Sequence, residues 1–498
     1  MDDYGISFDE AVQRRHGHVT VEYVADKLGI PHPPLATEGH SFSEYGMLYQ
    51  MVATVAEIQL GIVDDPYRYY RLRHILSFLL YGVALVFVYK TLRLRWPSQV
   101  WYPLLGTAIL LLSPRLFAHA FFNPKDQVLL IFYVIATFTL ARFLRQRTNG
   151  ALAWHVLASA LALNTRLPAL IIVAATVCLL LWEQLTERPG NYRRLWQAVV
   201  YPAATLLLMI PFFPYLWMDT ANRFTGAVSH MAAYKWSHQN LLFGDYLTAT
   251  DLPAYYIPAW IAITTPIIYL FFMLGGLGRT VWGSLQVLRR RRIWINYPGQ
   301  LDFVQLGLSV GPVIVVILLH STLYNGWRHL FFVYPGLVYA AVSGFDALRN
   351  RLPRLAPVVM AVGLTVTTVN MVRMHPVQQV YFNDLVGGTN IIKRFDMDYW
   401  GSGYRELLME LAARIPEGER RRVICIDWPC VDNVRALPPE AKKKIALVYQ
   451  EPWADYIVTN FVHHQEKLEI VDRQGIFAHP VVEVVRRGQV INGVYERP

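Results

Sequence analysis

The sequence predicts a polytopic α-helical membrane protein with a small α/β domain after its last span. Composition is the first reason: of 498 residues, 54% are hydrophobic and only 16% charged, and mean hydropathy is +0.27, outside the range of a soluble multidomain chain. The second is segment length, because about ten apolar stretches are long enough to cross roughly 30 Å of hydrocarbon. They lie near residues 74–90, 98–113, 126–144, 151–163, 167–182, 196–217, 255–277, 302–320, 329–347 and 355–372. The pair 151–163 and 167–182 is short enough to be one broken hairpin. The third is the placement of charge. A net charge of +10 raises nucleic-acid binding, but Lys and Arg fall in short clusters between spans rather than on one face or tail, so no nucleic-acid partner is expected.

Alternate loops hold very different numbers of cations. One set carries seventeen: Lys90, Arg93, Arg95, Arg142, Arg145, Arg147, Arg188, Arg193, Arg194, Arg279, Arg289–Arg292, Arg349, Arg351 and Arg354. The other carries six: Arg115, Lys125, Arg166, Arg223, Lys235 and Arg328. Basic loops face the cytoplasm, so residues 1–73 and everything after about 373 are expected outside. Nothing in the polar start "DYGISFDE" would carry it across a membrane, and the expectation is that an N-terminal span is missing. Three units follow: a first outer loop, 1–73; a bundle, 74–373; and an outer α/β domain, 374–498.

Within the first loop, Met51, Val55, Ile58 and Ile62 recur at helical spacing, which suits a helix lying in the interface or one packed on the bundle. After residue 373, "RRVICIDW", "KKIALVYQ" and "ADYIVTNF" read as strands, and "VVEVVRRGQVINGVYE" reads as a hairpin. Cys425 and Cys430 sit in this outer domain, as a disulfide or as two thiols, while Cys178 is mid-span. Two cysteines cannot assemble a structural zinc site.

The candidate chemistry gathers at the outer ends of inward-running spans. Arg71, Arg73 and His74 precede one; Lys125 in "NPKD", Arg166 in "NTRLP", and Arg328 and His329 in "YNGWRHLFF" begin three more. Cations at helix N-termini are intrinsically unfavourable. They either snorkel to headgroups or hold an anion such as a lipid phosphate. Asn123 and Pro124 of "NPKD" suit a helix start, which leaves Lys125 and Asp126 unexplained. "SFDE" matches a capping box of Ser7 with Glu10; Asp9 then projects from the first turn, free to face a reactant. Carboxylates opposite a cationic phosphate site suggest glycosyl transfer from a lipid-linked phosphosugar, with Asp9 taking the acceptor's proton.

The stretches "YGISFDE", "RLRH", "NPKD", "YNGWRHLFFVYPGL", and "HPVQQVYFNDLVGG" followed by "DMDYWGSGYRE" resemble the GT-C class of membrane glycosyltransferases, family 39. That family includes protein O-mannosyltransferases and lipid A aminoarabinose transferases, and uses phospholipid-carried donors. The resemblance spans roughly residues 3–410 and the tail "NGVYE". It implies a GT-C fold, Asp9 as catalytic base beside Glu10, and a polyprenyl-phosphate sugar held by Lys125 and Arg328, less surely by Arg71 or Arg73. The chain lacks the β-trefoil insert of the eukaryotic members.

His375, Pro376, Tyr381, Asn383, Asp398, Tyr399 and Trp400 are candidate rim residues, with the ordinary aromatic belt as the competing reading. Loop 218–254, with Asp219, His230, Lys235, His238 and Asp245, reads as a solvated flap without metal spacing. Asp9 and Glu10 adjoin on one helix and converge poorly on an ion, so no obligatory cofactor is expected, although a divalent cation is compatible. The expected partners are the lipid-linked sugar, membrane lipid and an outer acceptor: protein hydroxyl, lipid A or surface glycan. A low lysine count relative to arginine suggests a GC-rich bacterial genome, and for a multi-pass protein of a bacterium the expected location is the inner membrane. A transporter or flippase is the rival; it would need ionisable residues within spans and inverted repeats.

Overall fold

The computed structural model describes residues 2–35, 37, 42–186, 192–289, 296–387, 390–462, 470 and 474–497. Arg188, Arg290, Arg291 and Arg292 of the basic loops lie outside the described residues.

The chain opens with α1 (Phe8–Leu28) and α2 (Leu48–Gln59). Ser7 caps α1: its N–H donates to Glu10 Oε2 at 2.7 Å and its hydroxyl donates to the Phe122 carbonyl at 2.7 Å. α2 is amphipathic in an inverted sense. Gln50, Thr54 and Glu57 are buried, while Val52, Val55 and Leu60 are exposed. Glu57 accepts Arg14 (2.9 Å) and Arg73, so the polar face binds protein and the apolar face is left for a surrounding apolar phase.

Among the described residues, eight helices are long and apolar enough to span a membrane, or nine if one bent pair counts as a span. The first is α3 (Pro66–Arg95), started by Asp65, whose side chain accepts the Arg68 N–H, and by a proline in its first turn. The bent pair is α4 (Trp101–Leu111) and α5 (Pro114–Phe122), turned by 66° where Pro114 cannot continue the preceding helix. Then come α6 (Asp126–Gln146), α7 (Asn149–Thr165), α8 (Leu170–Thr186) and α9 (Arg193–Met209).

With 17 residues, α7 is short, yet its ends lie at opposite ends of the bundle. Arg166, just past it, pairs with Asp126 at the start of α6, whereas Arg147, just before it, pairs with Glu183 near the end of α8. So α7 is a full passage. The broken-hairpin alternative for 151–182 is thereby corrected.

After α10 (Thr220–Ala233), a two-stranded hairpin of β1 (Gln239–Leu242) and β2 (Asp245–Thr248) replaces the solvated flap expected of 218–254. Its edge is held by the Leu241 N–H donating to Asp396 Oδ2 at 2.9 Å. The bundle closes with α11 (Tyr256–Thr264), α12 (Ile267–Arg289), α13 (Tyr297–Leu318), α14 (Tyr334–Arg351) and α15 (Leu355–Arg373). Between α12 and α14, Gly276 and Gly344 face each other's backbone, and a Cβ on either would overlap a carbonyl of the facing helix.

The terminal unit has its own apolar core, including Leu407, Leu411, Val423, Val458, Val482, Val494 and Tyr495. Its helices are α16 (Tyr404–Arg414), α17 (Trp428–Arg435) and α18 (Pro439–Lys444). Its five strands are β3 (Arg421–Cys425), β4 (Ile445–Leu447), β5 (Tyr456–Thr459), β6 (Pro480–Arg486) and β7 (Gln489–Glu496), in the order β4-β3-β5-β7-β6. The first three run parallel; β7 joins β5 antiparallel and pairs with β6 across the Arg487–Gly488 turn, both turn residues at positive φ. Cys425 and Cys430 form a disulfide across the turn from β3 to α17.

Candidate functional site

A cavity of about 1010 Å³ opens where α1, the start of α6, the β1–β2 hairpin, the 324–328 turn and the terminal domain meet. Its wall includes Asp9, Lys125 and Arg328. Asp9 arrives there because the N-terminal segment is fastened on both sides. Gly5 N–H donates to the Ser402 carbonyl (3.0 Å) and Phe8 N–H to the Trp400 carbonyl (3.1 Å). The Asn433 carboxamide accepts the Ile6 N–H and donates to the Ile6 carbonyl, both at 2.9 Å. A Cβ at position 5 would overlap the Ser402 carbonyl, so only glycine lets the strands touch.

Asp9 Oδ2 sits 3.6 Å from Lys125 Nζ and 3.7 Å from Arg328 Nη1. Both distances exceed a hydrogen bond, and Asp9 Oδ2 accepts none among the described residues. Burial opposes the carboxylate charge, but Lys125, Arg328 and Arg166 outweigh it and hold the Asp9 pKa below the ordinary value. Burial pulls the Lys125 ammonium down in turn, against the attraction of Asp9.

Behind this pair lies Asp126, 1% exposed. It binds Arg166 and, at 2.7 Å, Arg328, and its own N–H donates to Asn123 Oδ1 at 2.9 Å. Aromatic faces roof the cations: Tyr45 lies 5.0 Å from Lys125 and 5.7 Å from Arg166, and Tyr324 and Trp400 lie 4.8 and 4.9 Å from Arg328. The Nε atoms of Arg166 and Arg328 are buried without a partner among the described residues.

The sequence-predicted residues divide. Asp9, Lys125, Arg328, Asp398, Tyr399 and Trp400 line the cavity, and Arg166 backs it through Asp126. Glu10 does not face it: 4% exposed, it is consumed by the Ser7 N–H and by His74 Nε2 at 2.9 Å. Arg73 is a correction, because it is buried against Glu57, Gln50 and Thr54 and braces α1–α3. Arg71 is another: it is half-exposed and pairs with Asp2 at 3.0 Å.

Asp126 is a buried counterion rather than a rim group. Tyr381 is buried with its carbonyl accepting Arg115 Nε (3.0 Å), and Asn383 donates to the carbonyls of Ala262 and Thr265 at 2.6 Å each, so neither is rim. His329 packs edge-on to Tyr324 with ring centres 4.6 Å apart. Asp398 touches the cavity but its carboxylate is committed to Gln379, Ser402 and the Gly403 N–H; burial raises its pKa to about 6 against those bonds.

Sequence reasoning missed Tyr45, Trp236, Tyr324, Asp427 and Asn460, all on the wall; Tyr324 opens the stretch that carries Arg328, and Asp427 and Asn460 close two of the expected strands. It also counted hardly any ionisable residue inside spans, whereas Arg115, His119 and His155 are fully buried in α5 and α7. Among the described residues, no three His, Cys, Asp or Glu side chains group as metal ligands.

Residues 8–225 match the family described as dolichyl-phosphate-mannose-protein mannosyltransferase. The matched stretch takes in Asp9, Lys125, Asp126 and Arg166. No curated protein matches the chain in sequence. Among solved structures, ArnT from Cupriavidus metallidurans bound to undecaprenyl phosphate is similar at 13% identity and TM-score 0.49, over 99% of this chain and 95% of that one. The archaeal oligosaccharyltransferase AglB from Archaeoglobus fulgidus, in complex with an inhibitory peptide and a dolichol-phosphate, is similar at 12% identity and TM-score 0.47. That match covers 94% of this chain and 66% of AglB.

Proposed function

We propose that this protein transfers a sugar from a polyprenyl-phosphate donor to an acceptor hydroxyl, by one inverting displacement on the extracytoplasmic face of the membrane. The observation that carries the reading is Asp9, its carboxylate open to the cavity and flanked by Lys125 and Arg328 at 3.6 and 3.7 Å. Charge balance supports it. Lys125, Arg166 and Arg328 against Asp9 and Asp126 leave one net positive charge, which matches the single negative charge of a phosphodiester donor.

In the reaction the acceptor oxygen attacks the anomeric carbon, the bond from that carbon to the phosphate oxygen breaks, and the acceptor proton passes to Asp9. Polyprenyl phosphate leaves with a second negative charge as the cluster, now holding a neutral Asp9, gains a second positive one. The site therefore stays balanced along the reaction, which is the electrostatic requirement for stabilising the departing phosphate. Three side-chain cations supply this charge, so an obligatory divalent ion is not part of the proposal. The acceptor is a protein hydroxyl, lipid A or a surface glycan; the family name specifies a protein acceptor for its own members.

The test is sugar release from a panel of radiolabelled polyprenyl-phosphate sugars by the protein in nanodiscs, with Lys125→Ala alongside. One donor is expected to turn over, with at least about a tenfold higher KM in the variant, as loss of a charge-assisted contact implies; a panel in which no donor binds contradicts the reading. Labelling of Gly418→Cys by a membrane-impermeant maleimide in intact cells tests the face, and protection of that cysteine would reverse it.

A further inference from the structure

The terminal domain contributes two strand ends to the cavity wall. Its parallel strands run in the order β4-β3-β5, so the chain leaves β3 for one side and returns to β5 on the other. In such sheets ligands bind at the carboxyl ends of the two strands where the order reverses. Here those ends are Asp427 and Pro429 after β3, and Asn460, Phe461 and Val462 after β5, and all five line the cavity that holds Asp9.

One polar atom on this wall has no partner among the described residues. Asn460 is 4% exposed; its Nδ2 donates to the Asp398 carbonyl at 2.9 Å, while its Oδ1 accepts nothing. Beside it Trp400 is 2% exposed, with its indole N–H turned to Tyr399. Buried polar atoms are normally satisfied, and those that are not need a reason. Phe461 adds a second sign: it holds φ at +57°, a conformation that costs an L-residue energy and tends to mark ligand-binding turns. The disulfide from Cys425 to Cys430 pins the facing turn.

We propose that Asn460 Oδ1, on the wall that Trp400 shares, is a hydroxyl-recognising acceptor for the sugar ring of the donor. A ring hydroxyl would supply the donor that this buried oxygen lacks. The subsite belongs to the donor's sugar rather than to a glycan acceptor because Trp400 also covers Arg328, the phosphate-side cation, at 4.9 Å. A sugar esterified to a phosphate at Arg328 sits against this wall. Asn460 and Trp400 therefore select which sugar is accepted, whereas Lys125 and Arg328 hold the phosphate common to all donors. This assignment rests on the transferase reading above.

The test compares wild type, Asn460→Ala and Asn460→Asp, full length in nanodiscs, for binding of sugar-free undecaprenyl phosphate and of the same lipid carrying each sugar of a panel. In wild type the best sugar-bearing lipid is expected to bind more tightly than the sugar-free one. Asn460→Ala should cut that ratio roughly three- to tenfold, the worth of one hydrogen bond to ligand, and leave sugar-free binding unchanged. Asn460→Asp, which keeps an acceptor oxygen, should retain most of the ratio. Because the readout is a ratio on one preparation, partial misfolding does not imitate it. An unchanged ratio in Asn460→Ala overturns the subsite, as does a defect seen only in transfer to acceptor, which would move the residue to the acceptor side. Failure of wild type to bind sugar-free undecaprenyl phosphate would instead overturn the transferase reading.

Discussion

Asp9 and Glu10 are adjacent carboxylates with different fates, and hydrogen bonding decides between them. Glu10 closes the cap of α1 and binds His74, whereas Asp9 is left against two cations on the cavity wall, its Oδ2 without a hydrogen bond among the described residues. Asp9 must be ionised to act as a base. Its pKa lies below the ordinary aspartate value of about 3.9, so turnover is expected to persist as pH falls to about 4 and to decline only below it. Lys125→Met removes a cation that favours the charged form, and should move this acid limb to higher pH while kcat at neutral pH also falls. Profiles of kcat against pH for the two proteins check this. A wild-type limb near pH 6 would point instead to Asp398, whose pKa burial raises to about 6. The capping box of Ser7 and Glu10 was legible in sequence, and it was reason enough to prefer Asp9. Tyr45 and Trp400 as roofs over the cations were not, because each meets its cation through tertiary packing that no spacing encodes, whereas Tyr324 lies only four positions before Arg328.

At the scale of elements, periodicity located the helices but misjudged some of their roles. Arg73 looked like a phosphate ligand because it precedes a span, yet α2 turns its polar face inward and supplies Glu57, Gln50 and Thr54 to hold it. The His18 imidazole and the Arg73 and Arg14 guanidinium groups converge on Glu57, and despite burial they bring its pKa down to about 2. The folded pKa is thus below that of the unfolded chain, about 4.3. The pairing therefore stabilises the fold fully above about pH 4.3 and is lost as pH falls toward 2. Glu57→Gln leaves Arg73 buried without a counter-charge and is expected to cost about 3 kcal/mol at neutral pH. Thermal unfolding in detergent should show the deficit shrinking below pH 4; an equal Tm for the two proteins at pH 7 would contradict the role given to Glu57. The hairpin in 218–254 escaped the sequence reading because its strands are four residues each and β1 is fixed through Asp396 at a distance of 155 positions.

Across the whole molecule, the site is an assembly of distant segments. The start of the chain supplies Asp9, the α5–α6 turn Lys125 and Asp126, the α7 end Arg166, the turn before α14 Arg328, and the terminal domain Asn460. The helical membrane bundle, the terminal α/β domain and the cations at one end of the bundle were readable from composition and spacing, since hydropathy and helix starts are local properties; the span count was not, with about ten expected and eight or nine found among the described residues. Convergence was not, because Asn433 reaching Ile6 and Arg328 reaching Asp126 are long-range bonds. The seam between residues 4–8 and 400–402 sets Asp9 relative to both the cationic cluster and the strand ends. The proposed chemistry depends on that one carboxylate. The most direct measurement is single-turnover sugar transfer from the accepted polyprenyl-phosphate donor by wild type and Asp9→Asn, with binding of sugar-free polyprenyl phosphate measured on the same samples. Lipid binding retained while the transfer rate falls at least about a hundredfold is the expected result for loss of a general base. A variant that still binds the lipid and transfers at the wild-type rate would contradict the account.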